Sequence, residues 1–210
     1  GGAVAFADVD NDNDKDLLLT GINQSSEHVA RLYKNNGSGT FSQDPGTPFE
    51  GVRESSVSFG DYDQDNYLDL IITGLNSQRN EVANLYRNNG SGGFNLVSDI
   101  PFAGAQQGSV SFFDFTGDGY PDVLITGRNS SRDIIANLYR NIGSGSFEQI
   151  SSPFVPIAFG AVGFEDLDND EDMDVVICGR NPEGGMVSVL YENAGNGNFF
   201  HVPDNPFVGE

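Results

Sequence analysis

Apolar and polar residues alternate along this chain in short runs that recur at a fixed interval. In the stretch Ser56-Val57-Ser58-Phe59 the apolar residues take every second position, the period of a strand with one buried face. Downstream comes an unbroken apolar run that closes on glycine: LLLTG to Gly21, IITG to Gly74, LITG to Gly127 and VICG to Gly179. A run without alternation predicts a strand covered on both faces. A polar loop of roughly eight residues follows, then the segments Ala30 to Phe41, Ala83 to Phe94, Ala136 to Phe147 and Ser188 to Phe199. Each of these reads as a third strand, a turn of the Asn-Asn-Gly-Ser-Gly kind, and a fourth strand starting at the phenylalanine. Such turns supply residues that tolerate positive φ, as a tight hairpin requires. No segment places apolar residues at helical spacing over ten or more positions, so the chain is expected to be all-β.

The interval is the dominant fact. Acidic stretches begin at Asp8, Asp61, Asp114 and Asp166, giving steps of 53, 53 and 52 residues. Phe6, Phe59, Phe112 and Phe164 each stand two positions earlier, and Pro-Phe pairs begin at Pro48, Pro101, Pro153 and Pro206. Units of about 50 residues with four strands predict β-propeller blades. A lone four-stranded sheet cannot cover two apolar faces, whereas stacked sheets cover each other. The expected architecture is one repeat domain over 1–210, built of four blades of about 53 residues at approximately 1–50, 51–103, 104–156 and 157–210. The units are whole, so they either close a four-bladed ring or form part of a larger propeller or array. Pro206-Phe207-Val208-Gly209 reads as a connector into a further unit.

Charge narrows the partners. The chain carries 31 Asp and Glu against 10 Lys and Arg, a formal net charge of −21 over 210 residues. A surface that acidic repels phosphate backbones, so no nucleic-acid partner is expected. No apolar run approaches the roughly 20 residues of a membrane-spanning helix, and no membrane insertion is expected. The single cysteine, Cys178, excludes an internal disulfide framework and a cysteine-built zinc site. It shares a column with Thr20, Thr73 and Thr126 and therefore reads as a buried strand residue. No signal-peptide pattern heads the chain, which fits a mature product or an excised segment.

Candidate chemistry lies in the acidic loops DVDNDNDKD (Asp8 to Asp16), DYDQDNYLD (Asp61 to Asp69), DFTGDGYPD (Asp114 to Asp122) and DLDNDEDMD (Asp166 to Asp174). Acids fall at loop positions 1, 3, 5 and 9. Crowded carboxylates repel one another unless a cation sits among them, and ligand sets of oxygen alone favour hard Ca²⁺. Clusters of Asp, Asn and Gly also form ordinary turns, but four such clusters in register favour metal ligation. An EF-hand is excluded because its twelfth loop position demands glutamate, and here Leu19, Ile72, Ile125 and Ile177 stand there.

The pattern Phe-x-Asp-x-Asp-x-Asp-Gly-x-x-Asp followed by an apolar strand resembles the FG-GAP/VCBS repeat family, the calcium-binding blades of integrin α-subunit propellers and many bacterial surface proteins. The resemblance covers essentially the whole chain and implies up to four Ca²⁺ ions, one per hairpin loop between first and second strands. In unit two it implies side-chain oxygens from Asp61, Asp63 and Asp65, the carbonyl of Tyr67, and Asp69 closing the site through both oxygens. Unit one maps as Asp8, Asp10, Asp12, the Asp14 carbonyl and Asp16; unit four as Asp166, Asp168, Asp170, the Asp172 carbonyl and Asp174. Unit three departs from the pattern. Asp114, Thr116, Asp118, the Tyr120 carbonyl and Asp122 hold one charge fewer, so the weakest site is expected there. The sixth loop position wants a left-handed backbone, which Gly119 satisfies and Asn13 and Asn66 tolerate. Glu171 fits poorly, and the fourth loop is expected to be distorted or strained.

No nucleophile elbow, phosphate-binding glycine loop or paired-histidine motif is present, so no enzymatic activity is expected. Asn23, Asn36, Asn89 and Asn129 begin glycosylation triplets. The loops after the second strands vary most between units, and varied loops on a repeated frame are where recognition usually sits. The leading expectation is an extracellular or cell-surface calcium-stabilised module that binds a protein or glycan ligand, since loops of modest affinity fill only at millimolar calcium. The alternatives are a building block that self-associates into a surface fibre, and an accessory domain of a polysaccharide-active enzyme.

Overall fold

The computed structural model describes residues 1–203 and 207; of the expected connector, Pro206, Val208 and Gly209 lie outside the described residues. Sixteen strands and no helix occur among the described residues. Unit one holds β1 (Val4–Ala7), β2 (Asp16–Ile22), β3 (His28–Asn35) and β4 (Phe41–Gln43). Unit two holds β5 (Val52–Gly60), β6 (Asp69–Asn76), β7 (Glu81–Asn88) and β8 (Phe94–Leu96). Unit three holds β9 (Val110–Phe113), β10 (Asp122–Arg128), β11 (Ile134–Asn141) and β12 (Phe147–Ile150). Unit four holds β13 (Ala158–Glu165), β14 (Asp174–Arg180), β15 (Met186–Asn193) and β16 (Phe199–His201). Within each unit the strands pair antiparallel in chain order. A single bridge, Val29 to Val52, joins the first two units into one eight-stranded sheet.

Each sheet buries one face against the next. Leu18 and Leu32 of unit one pack with Leu70, Ile72 and Tyr86 of unit two. Ile71 and Leu85 of unit two pack with Val123, Ile125 and Tyr139 of unit three. Leu124 and Leu138 of unit three pack with Val175, Ile177 and Tyr191 of unit four. The unbroken apolar runs are thereby explained: β6 is buried at all eight positions because units press on both its faces. Each such side chain contributes roughly 1.5–3 kcal/mol by leaving water. The Pro-Phe pairs serve these interfaces as well. Phe49 lies edge-on to Tyr86 and Phe94 at 5.0 and 5.1 Å, and Phe102 and Phe154 form the same three-ring contacts in the next two units. The Tyr86, Tyr139 and Tyr191 hydroxyls accept the Glu50, Ala103 and Val155 N–H groups, fixing the connector that enters each unit.

In units two to four a left-handed residue, within the first strand or just before it, hands one backbone bond to the preceding unit. The Glu54 N–H donates to the Gly1 carbonyl, that of Gln107 to Glu54, and that of Phe159 to Gln107. The φ angles of Glu54, Gln107 and Phe159 are 49°, 58° and 54°. Gly1, Glu54, Gln107 and Phe159, one residue from each unit, line a common cavity of about 380 Å³. The four units thus meet along one seam.

Of the arrangements the sequence left open, a closed four-bladed ring is not seen among the described residues. Among the described residues no apolar cluster and no backbone hydrogen bond joins unit four to unit one. The outer faces of the end units are accordingly bare. Phe6 is 60% exposed, and Val4, Leu19 and Phe41 are exposed beside it, in columns that units two to four cover. Cys178 corrects an expectation: it is exposed, whereas Thr20, Thr73 and Thr126 of its column are buried. The column is covered only where another unit follows, and none follows unit four in the described residues.

Candidate metal centre

The acidic loops connect first to second strands, and all four fold alike. The acid at position 1 organises the backbone. In unit two Asp61 accepts the Asp65 N–H through Oδ1 at 3.0 Å and the Asn66 N–H through Oδ2 at 2.8 Å. Asp8, Asp114 and Asp166 make the same pair of bonds. The position-5 acid then accepts the N–H two residues on, as Asp65 does from Tyr67 at 3.0 Å, Asp12 from Asp14, Asp118 from Tyr120 and Asp170 from Asp172. Positions 4 and 6 are left-handed in every loop, through Asn11, Gln64, Gly117 and Asn169 and through Asn13, Asn66, Gly119 and Glu171. Glu171 adopts φ 73°, so the fourth loop keeps the common shape and carries local strain instead of distorting.

The acids at positions 1, 3 and 5 converge. Carboxylate oxygens of Asp8, Asp10 and Asp12 lie within 4.8 Å of one another, as do those of Asp61, Asp63 and Asp65 and those of Asp166, Asp168 and Asp170. In loop three Asp114 and Asp118 share the cluster position with Thr116, whose Oγ1 donates to Asp114 at 3.3 Å. Asp10 Oδ1 and Asp63 Oδ1 are buried without a hydrogen-bond partner, an arrangement that costs free energy unless a cation satisfies it. Burial and the Asp65 charge both push the Asp63 carboxyl above its usual value. The opposite oxygens of these two acids meet basic side chains. Lys34 Nζ is 2.8 Å from Asp10 and 3.4 Å from Asp16, and Arg87 Nε is 2.6 Å from Asp63. In unit three the same column's Arg140 turns to Glu148, and in unit four the column holds Glu192. Loop four therefore gathers its acids with no ion pair among the described residues.

The position-9 acid is built in differently. Asp16, Asp69, Asp122 and Asp174 are buried, and each uses both oxygens on backbone N–H groups. Asp69 Oδ1 accepts from Asn88 at 2.8 Å and Oδ2 from Tyr62 at 3.2 Å; Asp122 accepts from Asn141 and Phe115, Asp16 from Asn35 and Val9, and Asp174 from Asn193 and Leu167. These bonds tie the loop to the third strand. Burial raises Asp69 and Asp122 to about 7, against the pull of those same N–H bonds. Each oxygen retains a further lone pair for a cation.

Every loop but the last is also clasped by the next unit, a feature sequence reading missed. Asn88 Nδ2 donates to the Val9 carbonyl at 2.7 Å, Asn141 to Tyr62 at 2.8 Å and Asn193 to Phe115 at 3.2 Å, each spanning 78 or 79 residues. At position 4, Asn11 reaches the Asn66 carbonyl of the neighbouring loop at 3.0 Å, and Gln64 reaches that of Gly119 at 2.8 Å. The following hairpin turn also rests on the loop: a Cβ at Gly197, where φ is 73°, would stand 2.8 Å from the Phe115 ring.

The FG-GAP-like repeat family matches the chain three times, over residues 8–72, 61–125 and 114–177. The overlapping matches run from the first acidic loop to the second strand of unit four. The chain belongs to the FG-GAP-like repeat family. No curated protein matches it.

Proposed function

We propose that the chain is a non-enzymatic, extracellular recognition module, a β-propeller-like stack of four FG-GAP-like units stabilised by calcium. The observation that carries this reading is the convergence of three carboxylates within 4.8 Å in three loops, with Asp10 Oδ1 and Asp63 Oδ1 buried and unpaired. Oxygen donors in that number suit calcium. Side chains of Asp8, Asp10, Asp12 and Asp16 would hold one ion, with the Asp14 carbonyl. Asp61, Asp63, Asp65 and Asp69 with the Tyr67 carbonyl, and Asp166, Asp168, Asp170 and Asp174 with the Asp172 carbonyl, would hold two more. Asp114, Thr116, Asp118 and Asp122 with the Tyr120 carbonyl would form the weakest site. The ion supplies charge neutralisation, and the loops presented at the far end of each unit supply recognition. Elemental analysis of protein dialysed against about 1 mM calcium is the test. Three or four ions per chain are expected, and Asp63→Asn should lose one while the protein stays folded. A metal-free protein after that dialysis overturns the reading.

A second reading, an architectural element that associates end to end, is favoured by the bare outer faces of units one and four. The columns Val4, Phe6, Leu19 and Phe41 face partners in units two to four, so the complementary surface already exists on unit four of a second copy. Sedimentation should then show mass rising with concentration, and the Cys178 thiol should react quickly with an aromatic disulfide when dilute and slowly when concentrated. Constant mass with uniformly fast labelling removes this reading.

A further inference from the structure

The end of the stack opposite the acidic loops gathers the cations that the acids leave free. Of the ten Lys and Arg residues, Arg79, Arg128, Arg132 and Arg180 stand there, and none of the four forms an ion pair among the described residues. Arg79, Arg128 and Arg132 line a cavity of about 430 Å³ between units two and three. Arg128 and Arg180 line an adjoining one of about 200 Å³ between units three and four, whose wall includes Phe159, 55% exposed. The fold does not require these arginines. Arg79 and Arg132 occupy left-handed turn positions, at φ 67° and 70°, in a column filled by Ser26 in unit one and Gly184 in unit four. Holding a long side chain in that conformation costs roughly 1–2 kcal/mol relative to glycine. Arg128 and Arg180 stand in the column of Ile22 and Leu75. Two columns have thus acquired arginine only in the units that border the two cavities.

Acids nearby are few and partly engaged. Glu81 lines the larger cavity and accepts from Gln106 Nε2 at 2.7 Å; Asp133 and Glu183 lie in the same turns. The other groups around the larger cavity are amides and a hydroxyl, from Gln106, Gln107, Asn129 and Ser130, with no apolar side chain to seat a peptide residue. Amides pair with sugar hydroxyls, guanidinium groups bind carboxylates bidentately, and an exposed aromatic ring stacks on the apolar face of a pyranose.

We infer that these linked cavities bind an acidic oligosaccharide, its carboxylates on Arg79, Arg128, Arg132 and Arg180 and one sugar ring against Phe159. The inference deepens the recognition reading above by naming the ligand class, and it rests on that reading. A hyaluronan hexasaccharide, which alternates glucuronate with an amido sugar, is the probe, titrated by calorimetry into the full chain in calcium-containing buffer. Saturable one-to-one binding that weakens with salt is expected, with at least a tenfold loss for its carboxyl-reduced analogue. Arg79→Gly with Arg132→Gly, which introduces the residue unit four already carries, should weaken binding at least tenfold while melting at or above the parent temperature. Phe159→Ala should weaken binding of the acidic and the reduced saccharide alike. Equal affinity for the two saccharides overturns the inference, as does no binding by a protein that holds its metal. A decaglutamate peptide binding more tightly than the hexasaccharide also overturns it and assigns the cavities to acidic peptides. Bound calcium is measured on the same samples: a failed saccharide titration with full metal content overturns the inference and leaves the calcium assignment standing, whereas saccharide binding without bound metal removes the calcium assignment alone.

Discussion

Chelation should lower the melting temperature of this protein by about 15 °C or more. At free calcium near a hundred times Kd, each filled site adds about 2.7 kcal/mol, so three sites add about 8. For a domain of this size each kcal/mol shifts melting by roughly 2–4 °C. The metal-free protein should also lose stability as pH rises. Asp69 and Asp122 hold their protons to about pH 7 in the folded state, because burial disfavours the charged form, whereas an unfolded aspartate releases its proton near 4. Between those values the folded state binds more protons than the unfolded state. The stability those protons confer is full below about pH 4 and is lost as pH rises through about 7. Bound calcium favours the ionised carboxylates and should flatten the slope. Scanning calorimetry at pH 5 and pH 8, with calcium or with EGTA, checks both parts; identical melting with and without EGTA contradicts the calcium assignment.

The second large effect is expected from one amide. Asn141 is fully buried, donates to the Tyr62 and Pro121 carbonyls at 2.8 and 3.1 Å, and accepts the Gly143 N–H at 3.0 Å. Asn141→Ala leaves those three backbone groups without partners, so a loss of about 3 kcal/mol is expected, with an unchanged dependence on urea concentration. Asn35 fills the same column in unit one, where none of the described residues offers it a loop of a preceding unit. Among the described residues its Nδ2 meets the Lys15 carbonyl alone, at 3.2 Å and at an exposed site. Asn35→Ala should therefore cost no more than about 0.5 kcal/mol. Equal losses at the two positions, read by urea denaturation, would show that the clasp between units contributes nothing beyond the turn itself.

The contrast between those asparagines marks how far the sequence could be read. The four-unit period, the strand count, the position of the acidic hairpins and the turn glycines all follow from local spacing, because each depends on residues a few positions apart. Asn35, Asn88, Asn141 and Asn193 are visible as a column too, yet the role of the last three is not, since the carbonyls they meet in the preceding unit lie 78 or 79 residues away. The position-9 acids were legible as oxygen donors but not as ties between loop and third strand. Cys178 was misread because a column predicts burial only where a neighbouring unit covers it, and among the described residues none covers that face of unit four. Ring closure was left open by the sequence for the same reason: periodicity defines the repeated interface and not how many times it is used. The arginine cavities were illegible because residues from two turns and two strand ends come together there only through stacking.

The chain of backbone bonds from Gly1 through Glu54 and Gln107 to Phe159 bears on how such a molecule can change in length over evolution. The contact is made by peptide groups, so its column accepts a residue with no side chain, an acid, an amide and an aromatic in turn. Duplicating or deleting one whole segment of the gene would leave that seam intact without any compensating substitution, and copy number is free to drift while the individual sheet stays as it is.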